Sequence, residues 1–226
     1  MNGRGFMILA LRLGVSGLLM VLAVVILSRA PAFMPPAPAP AEPAAGAGPL
    51  VDLSALDPTM IIDLRYFNSD NLVGQALYGA NRALLRPPAA ERLARVQARL
   101  REQGYGLKVW DAYRPLSVQR LLWEALPDPR YVASPEKGSN HNRGAAVDVT
   151  LVDLHGNDVE MPSDYDDFDR GHRDNPHFSE AASRHLKILT DAMVAEGFVP
   201  YIAEWWHFNE PDAGRYQVLD IPLEGE

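Results

Sequence analysis

Apolar side chains return every third or fourth position across residues 180–196, where Ala182, Leu186, Leu189 and Met193 fall on one stripe of EAASRHLKILTDAMVAE. That spacing predicts an amphipathic helix, capped by Ser179 and stopped at Gly197. Leu93, Val96 and Leu100 repeat the pattern in AAERLARVQARLREQ, which follows Pro87 and Pro88 and ends at Gly104. A third helix is expected after Ser117, its inner face made of Val118, Leu121, Leu122 and Ala125. Between these lie β-branched and aromatic runs that read as strands: TMIIDLRYF (59–67), GLKVWDAY (106–113) and AAVDVTLVDL (145–154). FVPYIAEWWHF (198–208) continues as extended chain. Helices and strands intersperse without a βαβ rhythm, so the pattern predicts an α+β fold whose sheet is mainly antiparallel and flanked by helices.

The first fifty residues follow other rules. Arg4 and Arg12 precede LGVSGLLMVLAVVILS, sixteen residues without a charge, and Arg29 closes the run. A basic flank before an apolar core describes a secretory signal or an uncleaved anchor, although a comfortable span needs about 20 residues. Residues 1–30 are therefore expected to direct export to the cell envelope or periplasm, and to tie the chain to the membrane if they stay attached. Residues 31–49 hold seven of the nineteen prolines and read as a semi-rigid tether. Residues 50–226 form the folded domain; they carry 18 basic and 28 acidic side chains, a net charge of −10, which disfavours nucleic acid as a partner. Cysteine is absent, so a metal would have to be held by His, Asp or Glu.

One stretch carries chemistry. In SNHNRGAAVDVT (139–150) a polar loop runs into a strand that bears an aspartate. Alternation sets Ala145, Val147, Val149 and Leu151 on one face, and Ala146, Asp148, Thr150 and Val152 on the other. A carboxylate in a half-buried strand needs an ion pair, hydrogen bonds or a metal. Arg65 or Arg143 could supply the ion pair. Gly144 permits a turn tight enough to bring His141 over the strand start. His207 arrives in AEWWHFNE, three residues after Glu204. Two histidines and a carboxylate match a catalytic zinc set with an open fourth position. His155, His177 and His185 read as ordinary structural histidines. DYDDFD (164–169) reads as an acidic loop, since a calcium loop needs glycine where Asp169 stands.

SNHNRGAAVD resembles the S-x-H-x-x-G-x-A-x-D signature of the zinc D-Ala-D-Ala peptidases of family M15. EWWHF resembles their E-x-x-H segment, and DAYRP (111–115) their D-G-Y-R-P segment. IDLRYFNSDNLVGQALY (62–78) is similar to a block of the D-alanyl-D-alanine dipeptidase branch, the vancomycin-resistance type. The resemblance covers roughly residues 55–215 and implies a hedgehog-like fold, one zinc per chain on His141, Asp148 and His207, and hydrolysis of D-Ala-D-Ala to two D-alanines. Glu204 would take a proton from the attacking water and pass it to the leaving amine. Arg114 would stabilise the growing oxyanion. Ser139 would meet the substrate carboxylate, and Asp166 and Tyr66 its free amine. A D,D-carboxypeptidase trimming peptidoglycan stems is the nearest rival function; a catalytically dead wall-binding module tethered to the membrane would have no use for Glu204. Two positions depart from the family pattern, Ala112 in place of Gly and Pro162 beside the acidic loop. Because strand alternation would turn Glu204 and His207 to opposite faces, joint action requires a bend near residues 203–205.

Overall fold

The computed structural model describes residues 49–224; the N-terminal apolar run and all of the tether but Pro49 lie outside the described residues. Among the described residues no helix is long and apolar enough to cross a membrane. The chain opens with β1 (Val51–Asp52), the short helix α1 (Leu53–Leu56) and β2 (Ile61–Ile62). There follow β3 (Leu84–Leu85), α2 (Pro87–Arg101), β4 (Tyr105–Asp111) and α3 (Leu116–Ala125). β5 (Ala146–Asp153), α4 (Glu180–Ala195), β6 (Val199–Tyr201) and β7 (Glu204–Asn209) complete the order.

Five strands form one sheet in the order β2-β4-β5-β7-β6; β2 runs parallel to β4 and the remaining pairs are antiparallel. The fold is thus α+β with a mixed, mainly antiparallel sheet. β5 lies at its centre and is buried along both faces from Ala146 to Val152. Leu93, Val96 and Leu100 of α2 join Leu189 and Met193 of α4 in the hydrophobic core with Val147, Val149 and Leu151 of β5. The predicted stripes of both helices are therefore the faces that bury. Ser179 caps α4 as expected, its hydroxyl accepting from the Ala182 N–H at 3.0 Å.

Three expectations need correction. Residues 59–67 are not one strand: only Ile61–Ile62 pair with β4, and Arg65–Phe67 wind into a 3-10 turn. That turn buries Tyr66 and bends the chain away from the sheet edge. Ser117 does not cap α3. Its own backbone N–H donates to the Asp220 carboxylate at 2.7 Å, so the cap comes from the C-terminal tail. The inner face of α3 is Val118, Gln119 and Leu122, whereas Leu121 and Ala125 are exposed. Gln119 takes an inward place on α3, where its Oε1 accepts from Arg114 Nη1.

Candidate active site

Strand register assembles the site at one end of the sheet. Asp111 on β4 pairs with Asp148 on β5, which pairs with His207 on β7. A bulge at Trp110 sets Asp111 beside Asp148, because two residues of β4 there oppose one of β5. His141 reaches the same point from a 3-10 turn that ends at Gly144, whose φ of 67° is the left-handed conformation expected for that glycine.

Three acceptor atoms converge. His141 Nε2 lies 3.1 Å from His207 Nδ1. Asp148 Oδ1 lies 3.0 Å from His207 Nδ1 and 3.3 Å from His141 Nε2. Every ligand-bearing group is fixed from behind. The far ring nitrogen of His141, Nδ1, sits 2.7 Å from the Ala112 carbonyl, so it must be the protonated one. His207 Nε2 is 3.0 Å from Asn209 Oδ1, which also accepts from Asn140. Asp148 Oδ2 accepts from the Tyr165 hydroxyl at 2.9 Å. With those tautomers, two lone pairs and a carboxylate face one another with no proton between them, an arrangement that calls for a cation. Tetrahedral zinc with bonds of about 2.0–2.1 Å would set its ligand atoms about 3.3 Å apart, so the donor set fits that ion in chemistry and spacing. The same field acts on protons. Burial opposes charge on His141, but Asp148 raises its proton affinity; burial of Asp148 is outweighed by His141 and His207, which hold it well below the ordinary carboxylate range.

Glu204 joins them through a break in the β6–β7 pairing at residues 205–207, beside the bend expected near residues 203–205. β6 pairs Pro200 with Phe208 but Tyr201 with Glu204, so residues 205–207 form a wide bulge on β7. Glu204 Oε2 thereby lies 3.9 Å from His207 Nδ1. Burial, with help from Asp148 and Asp166 and against His207, pushes its carboxyl up to about 8. Trp205 and Trp206 are buried beside it.

Arg114 is held by two residues not singled out in the sequence. Its Nε and Nη2 donate to Asp111 Oδ2 at 2.9 and 2.7 Å, and Nη1 donates to Gln119 Oε1 at 2.9 Å. Burial would lower its proton affinity, but Asp111 and the surrounding tyrosines raise it well above the ordinary value. Its guanidinium also lies over the Tyr66 ring and 3.9 Å from Asp148. Neither Arg65 nor Arg143 pairs with Asp148: Arg65 meets Asp63 and Asp70, and Arg143 donates to backbone carbonyls.

The cleft has two arms. An open one of about 250 Å³ is lined by Arg114, Ser139, Asn140, His141, Tyr201, Glu204 and His207. A narrow one of about 20 Å³ holds Tyr66, Leu72, Asp148, Tyr165, Asp166 and Glu204, and Arg114 borders both. Asp166 sits in the left-handed region (φ 59°) and accepts from the Leu72 N–H at 2.8 Å; burial pushes its carboxyl up to about 7. The structure thus gathers all eight sequence-derived residues around one cleft, with Ser139 in the open arm and Tyr66 and Asp166 in the narrow one. Asp111, Gln119, Tyr165 and Asn209 were missed. The available signal was position, since Asp111 opens DAYRP and Tyr165 lies inside the acidic loop. Neither departure from the motifs disturbs the cleft. Ala112 contributes only its carbonyl and takes no positive φ, and Pro162 lines a separate cavity with Trp110 and Thr150.

Residues 47–222 match the peptidase M15 family model described as D-Ala-D-Ala dipeptidase. The chain is 42% identical over 171 residues to the D-alanyl-D-alanine dipeptidase of Escherichia coli K12, covering 75% of this chain and 89% of that protein. It is 32% identical over 182 residues to the Enterococcus faecalis protein of the same name, covering 68% of this chain and 89% of the relative. The Streptomyces coelicolor protein of that name is 32% identical over 196 residues, covering 71% of this chain and 91% of its own length.

Proposed function

Because the chain belongs to the peptidase M15 family of D-Ala-D-Ala dipeptidases, we propose that it hydrolyses D-Ala-D-Ala to two D-alanines with one zinc held by His141, Asp148 and His207. The observation that carries this reading is the narrow arm beside the three converging acceptors, closed by aromatic rings and supplied with a carboxylate, Asp166. A free ammonium fits that arm, and a charge-assisted hydrogen bond there is stronger than in water. An acylated amine brings no charge and too much bulk. The hedgehog-like fold expected for the family is supported by the antiparallel β4–β5–β7 core, with Asp148 on β5, His207 on β7 and His141 on the turn before β5.

Zinc, when bound, supplies Lewis acidity toward the scissile carbonyl and makes water a stronger nucleophile at neutral pH. The chain's own groups do the rest. In its ionised form, Glu204 removes a proton from the attacking water as the water oxygen joins the carbonyl carbon. Arg114, fixed by Asp111 and Gln119, faces the negative charge that grows on the carbonyl oxygen. Glu204 then delivers the proton to the amide nitrogen, the C–N bond breaks, and one D-alanine leaves as the amine and the other as the acid. Ser139 meets the terminal carboxylate in the open arm; Tyr66 and Asp166 orient the amine. The apolar run of residues 1–30 and the tether support export, where the enzyme would consume dipeptide released during wall turnover. A reporter fused after Glu226 and active only in the cytoplasm would refute the export reading.

The test is the full chain with zinc, assayed on D-Ala-D-Ala, N-acetyl-D-Ala-D-Ala and a muramyl pentapeptide. Cleavage of the free dipeptide should far exceed that of the other two. Comparable kcat/KM for the free and acetylated dipeptides would overturn the dipeptidase reading in favour of a D,D-carboxypeptidase.

A further inference from the structure

The bulge that brings Glu204 and His207 together leaves a cost on the side of the hairpin away from β5. Residues 205–207 have no partners on β6, because the register jumps from Pro200↔Phe208 to Tyr201↔Glu204. Buried carbonyls stripped of their ladder must be satisfied by other donors. One side chain does this. Arg173 donates from Nη2 to the Trp205 carbonyl at 2.6 Å and, more weakly, to the His207 carbonyl at 3.4 Å. Its Nε donates to the Tyr201 carbonyl at 2.8 Å, and its backbone N–H to the Ile202 carbonyl at 2.9 Å. Nη1 donates to Thr190 Oγ1 at 2.9 Å, tying the guanidinium to α4, and the plane lies over the Phe208 ring, 4.4 Å from its centroid. The Trp205 N–H in turn donates to the Gly171 carbonyl at 2.8 Å. Among the described residues no carboxylate lies within ion-pairing distance of Arg173. Such a cation is not there for a salt bridge. Its fork of donors replaces the strand that the bulge displaced.

We propose that Arg173 is a positioning residue for catalysis: by bonding the carbonyls of Tyr201, Trp205 and His207 it fixes the bulge, and so sets where Glu204 and His207 stand relative to each other. The inference rests on the roles of those two residues under the proposed function. Lysine in its place keeps the charge but offers a point donor without the planar fork, so it cannot span carbonyls four and six residues apart along the hairpin.

The test compares wild type with Arg173→Lys as zinc-loaded full-length protein, and again with cobalt(II) in place of zinc. Arg173→Lys should stay folded by circular dichroism, keep KM for D-Ala-D-Ala close to wild type, and lose about 10–100-fold in kcat, with zinc affinity weakened over a similar range, as for other groups that orient metal ligands from behind. The visible absorption of the cobalt form should change, because it reports the ligand field at His207; a merely structural role would leave that spectrum unchanged below the melting temperature. Arg173→Ala should recover part of its kcat in millimolar guanidinium, since a surface groove lined by Arg173, Asn175, Phe178 and Thr190 admits it. A folded lysine variant with kcat, zinc affinity and cobalt spectrum like wild type would overturn the inference. If the lysine variant does not fold, Thr190→Val decides, because it frees one end of the guanidinium without removing it. A several-fold fall in kcat with a shifted cobalt spectrum supports the clamp, and wild-type values refute it. Wild type that binds zinc yet cleaves no dipeptide would overturn the proposed function instead, and the clamp would then stand or fall on zinc affinity and the cobalt spectrum alone.

Discussion

Asp111 is fully buried, with Arg114 on one carboxylate oxygen through two bonds and the Tyr78 hydroxyl on the other at 2.7 Å. Asp111→Asn keeps the shape and removes the charge. The amide oxygen can still accept both Arg114 bonds while its NH2 group donates to the Tyr78 hydroxyl, but Arg114 is left as a buried cation without its main counter-charge. Breaking a buried pair in this way costs about 3–5 kcal/mol, and the bonds that survive put the expected loss near the lower end, about 3 kcal/mol. In a domain of this size, where about 1 kcal/mol moves Tm by about 2–4 °C, the variant should melt about 6–12 °C below wild type. Arg114 should also turn toward Asp148, already 3.9 Å away, and weaken zinc binding by competing for that carboxylate. Calorimetric melts of the metal-stripped protein separate the two effects. The double variant Asp111→Asn/Arg114→Met has no stranded charge, so it should be more stable than the single variant while remaining inactive. A single variant melting within about 2 °C of wild type, or a double variant no more stable than the single, would refute this account of how Arg114 is held.

Glu204→Gln should retain zinc and the fold, and lose about 10²–10⁴-fold in kcat with little change in KM; loss of metal would make Glu204 a ligand instead. His141→Ala or His207→Ala should lose metal and activity together, while Tyr165→Phe, which strips only the hydrogen bond to Asp148, should weaken zinc affinity by about 10–100-fold, as read by chelator competition. Burial pushes the Asp166 carboxyl up from 3.8 to about 7, so the folded state holds an extra proton between those values and bears the full cost of ionisation above them. Asp166→Asn should therefore raise the Tm of substrate-free protein at pH 8, by an amount that shrinks toward pH 5, while raising KM for the dipeptide. For wild type, KM should climb as pH falls below about 7, because the carboxylate that meets the ammonium is then protonated. An Asn variant that is no more stable at pH 8 than wild type would show that Asp166 is not destabilised by burial.

Some of this protein is written locally. The Leu186, Leu189 and Met193 stripe, the Ser179 cap and the left-handed Gly144 depend on neighbours a few residues away, so spacing and residue type identify them. The convergence of His141, Asp148 and His207 was legible only in part from residue type, since a carboxylate on a buried strand needs a partner; the grouping of the three came from the resemblance of their segments to the M15 signature. The bend was an inference of a second kind: the joint role that the resemblance gives Glu204 and His207 requires one near residues 203–205, and the pairing with β6 is broken at residues 205–207. What holds these groups was not legible. Asp220 caps α3 from 103 residues away in sequence, and Tyr165 reaches Asp148 across 17. The 59–67 run has the composition of a strand, yet β4 pairs with only two of its residues before Tyr66 turns into the cleft. Hydrogen bonds and burial are properties of proximity, and a sequence carries proximity only through short-range periodicity. The tertiary structure therefore decided which polar side chains serve the site, through contacts between segments that the chain itself keeps far apart.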